Sequence, residues 1–200
     1  MIRKEARSRV PIHELIARRW SPRAFDPDRH LTMAQLLTLS EAARWAPSCF
    51  GDQPWRFVFC DRTRDPSPWD TVLASLTEKN RRWASDAPVL VCAIAAEHFR
   101  HNGQPNRWAQ YDTGAAAEHI CLQATALGLA AHQMGGFDAD ALRRALGVPA
   151  AFVPMAVIAV GYQGNIGHLH AEFRATETGL RRRDEPGAHF FLGRWGTPIA

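Results

Sequence analysis

Ala46-Pro47-Ser48-Cys49-Phe50-Gly51-Asp52-Gln53-Pro54-Trp55, followed at once by Arg56-Phe57-Val58-Phe59-Cys60, is the most informative stretch of this 200-residue chain. From Trp55 to Cys60 it is rich in aromatic and β-branched residues and predicts a strand. The loop before it is too apolar and too rich in proline for a free surface turn, so it needs something to lie against. Upstream, Thr32 and Gln35 form a capping-box start. The helix they open carries Met33, Leu36, Leu37, Ala43 and Trp45 and stops at Pro47. Before it, Ile12, Leu15 and Ile16 suggest a first helix within residues 11–20, ending ahead of Pro22.

Downstream, Asp70 to Asn80 predicts a helix with Val72, Leu73 and Leu76, and Val89 to Ala95 is a continuous apolar run of strand length. Ala115 to Leu127 is alanine-rich and almost uncharged, so a helix there is expected to be buried nearly all round. Gly128 ends it as a C-cap. Asp138 caps a helix through Ala145, before Gly147 and Pro149, and Met155 to Val160 is a second apolar strand closed by Gly161. From Gln163 onward no clean period survives; Phe173, Phe190, Phe191 and Trp195 lie among glycines, prolines and arginines. Without repeats or a linker, this is one α+β domain over residues 1–200, with an extended C-terminal arm from about 163.

The composition, 46% hydrophobic and 22% charged, excludes disorder as the main state. The longest unbroken apolar run, Val89 to Ala96, is less than half of what a bilayer crossing needs. Met1-Ile2-Arg3-Lys4-Glu5 has no apolar core behind its charges, so no secretion signal is expected and the cytoplasm is the default location. Of the 24 basic residues only Lys4 and Lys79 are lysines. Arginine suits planar capture of phosphate and carboxylate, although high-GC coding bias gives the same composition. The positive charge forms no even stripe, so no nucleic-acid partner is expected, and no membrane partner either.

Several chemistries lack their motifs. Cys49, Cys60, Cys92 and Cys121 have no CxxC spacing and read as buried thiols in a reducing compartment. His98 and His101, and His168 and His170, lack a third ligand nearby, so no metal is expected. No GxGxxG follows a strand, no GxxxxGK exists, and no GxSxG surrounds Ser48.

Three segments remain. Arg18-Arg19-Trp20-Ser21-Pro22-Arg23-Ala24-Phe25 brings guanidinium groups and a hydroxyl to a helix end, a set suited to a dianionic phosphate. Taken alone it reads better as a solvated basic helix end favoured by the helix dipole. The loop at 46–55 is the second. The third is Gly135-Gly136-Phe137-Asp138, whose glycines allow backbone N–H groups to approach a ligand, or simply make a tight turn.

Taken in order, these segments resemble the nitroreductase family of FMN-dependent homodimeric oxidoreductases. The resemblance rests on Arg18 to Phe25, Ala43 to Ser48, Gln53 to Phe57, Asp112 to Ala116, Ala126 to Leu129, Gly135 to Asp138, Leu146 to Pro149 and Gly161-Tyr162. Arg181, Arg183 and Phe190 to Gly196 are similar to the C-terminus of one subgroup. The resemblance implies an α+β, nitroreductase-like fold: a central, mainly antiparallel sheet flanked by helices, with the C-terminal arm wrapping the partner subunit.

It also implies roles. Arg19, Trp20, Ser21 and Arg23 would hold the FMN phosphate and ribityl chain, with Arg181 and Arg183 closing on the phosphate. Pro47, Ser48 and Cys49 would form the partner subunit's wall of the same site. Asn80 would meet the pyrimidine side of the flavin. Gly135 and Gly136 would present N–H groups to N5 and O4, with Gln133 and Met134 lining the ring. Phe50, Gly51 and Trp108 would border a small aromatic substrate. The implied reaction is ping-pong hydride transfer from NAD(P)H through FMN to a nitroaromatic, quinone or similar flat acceptor, with no catalytic side chain required.

Two departures stand out. Gly51 replaces the asparagine usual in the loop, and Trp83 stands where some members carry a lysine, leaving Arg81 or Arg82 to supply that charge. The alternatives are a sibling flavoenzyme of the same fold (a dehalogenase, a dehydrogenase or a flavin-fragmenting synthase) and a non-catalytic FMN-binding or phosphate-binding module.

Overall fold

The computed structural model describes residues 2–199. In chain order its elements are α1 (Glu14–Arg18), α2 (Met33–Arg44), β1 (Trp55–Asp61), α3 (Pro66–Ser75), α4 (Glu78–Ala84), β2 (Val89–Ala96), α5 (Ala109–Ala126), β3 (Ala130–Met134), α6 (Ala139–Ala145), β4 (Phe152–Gly161) and α7 (Ala171–Thr178). The strands form one antiparallel sheet in the order β1-β2-β4-β3. This is the expected α+β architecture.

The unbroken apolar run of β2 follows from its place. It pairs on both edges, and all eight of its residues are buried. Leu90, Cys92 and Ile94 point, with Val157 and Ala159, into a core covered by Trp69 and Val72 of α3, Trp83 of α4, Leu142 of α6 and Phe173 of α7. Val89 and Val91 point the other way, with Ile158 and Val160, against Leu36, Leu39 and Ala43 of α2 and Ala116, Ala117, Ile120 and Ala124 of α5. The period-two alternation of a strand thus serves two helical layers. Pro154 is tolerated in β4 because β3 pairs only from Val157 to Gly161, and Met155 beside it is the extra residue of a bulge opposite Ala93 and Ile94.

Several expectations change. The helix expected over Asp70 to Asn80 is two helices, α3 and α4. Leu76 leaves helical geometry between them to bridge with Phe137, and the Thr77 N–H donates to Gly136 O at 3.0 Å. The expected strand Met155 to Val160 extends to Phe152 and Gly161. The helix expected from Ala115 begins at Ala109; within Ala115 to Leu127 every residue but Ala126 is buried or half-buried, and the added first turns expose Tyr111 and Gly114. Its C-terminus is as expected, with Gly128 at φ +71° letting the Leu129 N–H reach back to Ala124 O at 2.8 Å. In α1 no residue is buried, and Ile12 and Ile16 remain exposed. Residues from 163 onward are not all arm: Leu169 and Phe173 are core, so the extended part begins only after Gly179. Beyond it, Phe190 to Ile199 folds into a small hairpin whose Trp195 is 93% exposed. No helix among the described residues is long and apolar enough to cross a membrane.

Candidate functional site: a cation cluster beside the edge of the sheet

Residues 19–24 lie outside helix and strand, so their side chains are placed by tertiary partners. Arg19 Nη1 donates to Ser21 Oγ at 3.3 Å, and Arg19 Nε faces Glu118 Oε1 of α5 at 3.3 Å. Pro22 O is met by His132 Nδ1 of β3 at 3.0 Å. The backbone N–H groups of Arg23 and Ala24 donate to the carboxylate of Glu177 on α7. The Arg23 guanidinium lies 5.9 Å from the Trp83 ring centroid, and Trp83 in turn packs on His132 at 4.5 Å.

The tail joins the same place. Arg181 Nη1 donates to Lys4 O at 2.9 Å and to Ala17 O at 2.8 Å, stitching the N-terminal segment to the end of α1. Burial, and then the nearby Arg19 and Arg183, hold the Arg181 guanidinium below its ordinary value. Burial likewise lowers Lys4; Glu177 opposes this, while Arg181 and Arg23 add to it. Arg181 is thereby tied to the end of α1, two residues before Arg19, while Glu118 pairs with Arg19 and Glu177 holds the backbone of Arg23, so arginines from both ends of the chain share this region. Like charges held this close are stabilised by a multiply charged anion, which arginine forks bind with directional hydrogen bonds. Trp20 borders the cluster, with Lys4 Nζ 4.8 Å from its ring centroid. A cavity of about 400 Å³ lies alongside, but of the expected cofactor residues it shares only Trp20, and its lining mixes Glu5 and Glu14 with Arg3, Lys4 and Arg18.

Next to the cluster runs a glycine-lined edge. Asn80 and Trp83 are three residues apart on α4 and so share a face. Trp83 reaches the Arg23 side, while Asn80 Nδ2 donates to Gly136 O at 3.1 Å. A Cβ at Gly136 would sit 2.8 Å from Asn80 Nδ2 and 3.0 Å from Thr77 Oγ1, so a larger residue there would have to displace these side chains, Asn80 first. At Gly135 the equivalent space is open. Gln133 Nε2 lies 3.4 Å from both Glu118 Oε2 and Cys121 Sγ, which ties it to the Arg19 side. Met134 is buried in the core and paired with Val157 of β4, so its side chain does not line an open site. Of the two candidate replacements for the missing lysine, Arg82 is committed to Glu78 and to Glu172 of α7. Arg81 is exposed and makes no ion pair among the described residues.

The loop at 46–54 forms a separate group. Asp112, buried in the first turn of α5, accepts the Cys49 N–H at 3.0 Å, and Ser48 Oγ accepts the Gln53 N–H at 3.0 Å. Pro47 lies between this anchor and α2. Phe50 adopts φ 54°, is 82% exposed and packs edge-on against Phe99 and His101. Gly51, at φ +62°, has nothing within 4 Å of its Cβ direction. Trp108 caps the start of α5 with Arg107 4.5 Å from its ring centroid. Asp112 and Glu118 are six residues apart, roughly 240° around the helix. The loop and the cation cluster accordingly use different sides of α5, and no hydrogen bond or ring contact joins them among the described residues.

Sequence reasoning missed Glu177, His132 and Asp112 as supports of these groups. Only Phe173 and Glu177, four apart before Gly179, gave a signal of α7.

A nitroreductase family model matches residues 16–162. The chain belongs to the nitroreductase family. It is similar to a solved structure described as an oxidoreductase containing FMN, at 34% identity and a TM-score of 0.89 over 96% of each chain. Protein DrgA of Synechocystis sp. is 27% identical, covering 87% of this chain and 90% of its own length. An Archaeoglobus fulgidus protein provisionally named NADH dehydrogenase/NAD(P)H nitroreductase is 29% identical, covering 68% and 76%.

Proposed function

We propose that this protein is an FMN-dependent oxidoreductase that uses NAD(P)H to reduce nitroaromatics, quinones or similar flat acceptors, working as a cytoplasmic homodimer. The observation that carries this is that Arg181 of the tail is hydrogen-bonded to Ala17 O, two residues before Arg19, while Glu177 of α7 holds the Arg23 backbone, which brings arginines from both ends of the chain to one region. The phosphate of FMN fits this donor set in charge and in hydrogen-bonding geometry. Arg19, Ser21, Arg23, Arg181 and Arg183 would hold it. The open side of Gly135, with Gln133, Asn80 and exposed Arg81, would accommodate the ring.

When bound, FMN supplies two-electron chemistry, taking hydride from NAD(P)H and returning it to an acceptor. With a single flavin serving both substrates, the side chains of this protein would seat them one after the other, and ping-pong kinetics would follow. Arg81 would supply positive charge to offset the negative charge that reduction adds to the flavin. No general acid is assigned. Two features favour the homodimer: the loop at 46–54 uses a side of α5 away from its own cation cluster, and Leu37, Trp45 and Trp195 are exposed. Pro47, Ser48 and Cys49 would then complete the partner's site, and Phe50, Gly51 and Trp108 would border the acceptor.

The relative provisionally named NAD(P)H nitroreductase and the FMN-containing neighbour support the same reading. The test is a visible spectrum of the purified, FMN-supplemented protein. NADH or NADPH should bleach it anaerobically, and a quinone or nitroaromatic should restore the colour. Failure to retain flavin overturns the proposal. Flavin reduction without turnover of either acceptor class points to a sibling reaction, and a monomer-sized, flavin-loaded species in sedimentation overturns the dimer.

A further inference from the structure

We infer that Glu177 is a positioning residue for the phosphate clamp, setting the backbone from which Arg23 reaches its target; this rests on the flavin reading above. Glu177 is fully buried on α7, far along the chain from Arg23. Its Oε1 accepts the Arg23 N–H at 2.9 Å and the Ala24 N–H at 3.0 Å, and Oε2 lies 3.1 Å from the same Arg23 nitrogen. A carboxylate taken out of water is costly unless hydrogen bonds replace its hydration. Here two backbone donors do so, and those donors belong to a segment with no helix or sheet ladder to supply acceptors.

The surrounding backbone is fixed from other sides. Pro22 O is held by His132, Ala24 O accepts the Gly164 N–H at 2.8 Å, and the Asp26 N–H donates to Tyr162 O at 2.9 Å. With Glu177 in place, the N–H groups on both sides of the Arg23 Cα and the Pro22 carbonyl before it are fixed, and the guanidinium leaves from a defined point over Trp83. The charge of Glu177 argues the same way. A negative group among Lys4, Arg23 and Arg181 weakens the field that attracts phosphate, so electrostatics alone would disfavour it. What it contributes to this site is geometry.

Two variants separate geometry from charge. Glu177→Gln keeps an oxygen where Oε1 receives both N–H groups but removes the charge. Glu177→Asp keeps the charge but withdraws the acceptor by one methylene. Titration of the flavin-free protein with FMN and, in parallel, riboflavin reads the outcome. We expect Glu177→Gln to bind FMN as tightly as the wild type or more tightly. Glu177→Asp should bind FMN about 10-fold more weakly, as for loss of one hydrogen bond to a charged group, with riboflavin unchanged. Thermal unfolding of both variants shows whether they fold. If Glu177→Asp leaves FMN binding intact, weakens both flavins equally or does not fold while Glu177→Gln loses FMN affinity, the positioning role is wrong. A wild-type protein that binds neither flavin overturns the flavin reading itself.

Discussion

His132 makes the stability of the clamp segment depend on pH in a calculable way. Its ring is packed 4.5 Å from Trp83 and its Nδ1 meets Pro22 O, so the neutral ring donates its proton to that carbonyl. Burial pushes the imidazole down from its ordinary 6.5 to about 4; Arg23 and Arg19 act in the same direction, and the hydrogen bond to Pro22 opposes them. Because the folded value lies below the unfolded one, the unfolded chain takes up a proton between pH 6.5 and 4 that the folded chain refuses. Stability is complete above that window and falls as the pH is lowered through it. The full gap corresponds to roughly 3 kcal/mol. For a domain of this size that is a fall in Tm of roughly 6–12 °C. Other groups titrate over the same range, so the measurement is a difference: thermal unfolding of the wild type and of His132→Gln, followed by circular dichroism from about pH 7.5 to about pH 4.5. Glutamine offers an N–H toward Pro22 O without titrating, so its curve should lose less on acidification. If the two proteins lose Tm in parallel, His132 does not carry this linkage and the packing argument fails.

Replacing Arg19, Arg23 or Arg183 by alanine should weaken FMN binding by about 10- to 150-fold while leaving riboflavin nearly unaffected, and equal loss of both flavins would remove that arginine from the phosphate. Arg181→Ala should in addition lower Tm, because this guanidinium also holds Lys4 O and Ala17 O. Gly51→Asn should fold, since asparagine tolerates the left-handed backbone at φ +62° and the space around it is open. It should shift turnover from flat aromatic acceptors toward small polar ones, and an unchanged acceptor profile would show that position 51 does not border the substrate.

What was legible in the sequence is what local chemistry decides. The start of α2 is read from Thr32 and Gln35 alone, and the structure shows both halves of the box: Thr32 Oγ1 accepts the Gln35 N–H, and Gln35 Oε1 accepts the Thr32 N–H. The apolar run of β2 needs no partner to be recognised as buried. By contrast β3, Ala-Ala-His-Gln-Met, has small and polar residues with no strand signature, and becomes a strand because β4 offers a ladder from Val157 to Gly161. The break between α3 and α4 is likewise set from outside, by Gly136 and Phe137 claiming Thr77 and Leu76.

The same division runs through the candidate site. Arg19 and Arg23 stand out because guanidinium groups at a helix end are suited to an anion, and Arg181 and Arg183 because of the family resemblance of the tail. Glu177 and Asp112 do not stand out, because a glutamate or aspartate in a helix is in most proteins a solvated surface residue. Burial and backbone donors from distant segments make them supports: Arg23 and Ala24 for one, Cys49 for the other. Neither set of donors is near in sequence, so no periodicity or spacing can reveal the pairing. A charge that binds a ligand is therefore easier to find in a sequence than a charge that holds the binding segment still. The second kind is identified by asking which backbone N–H groups of an irregular segment lack a ladder, and which carboxylate answers them.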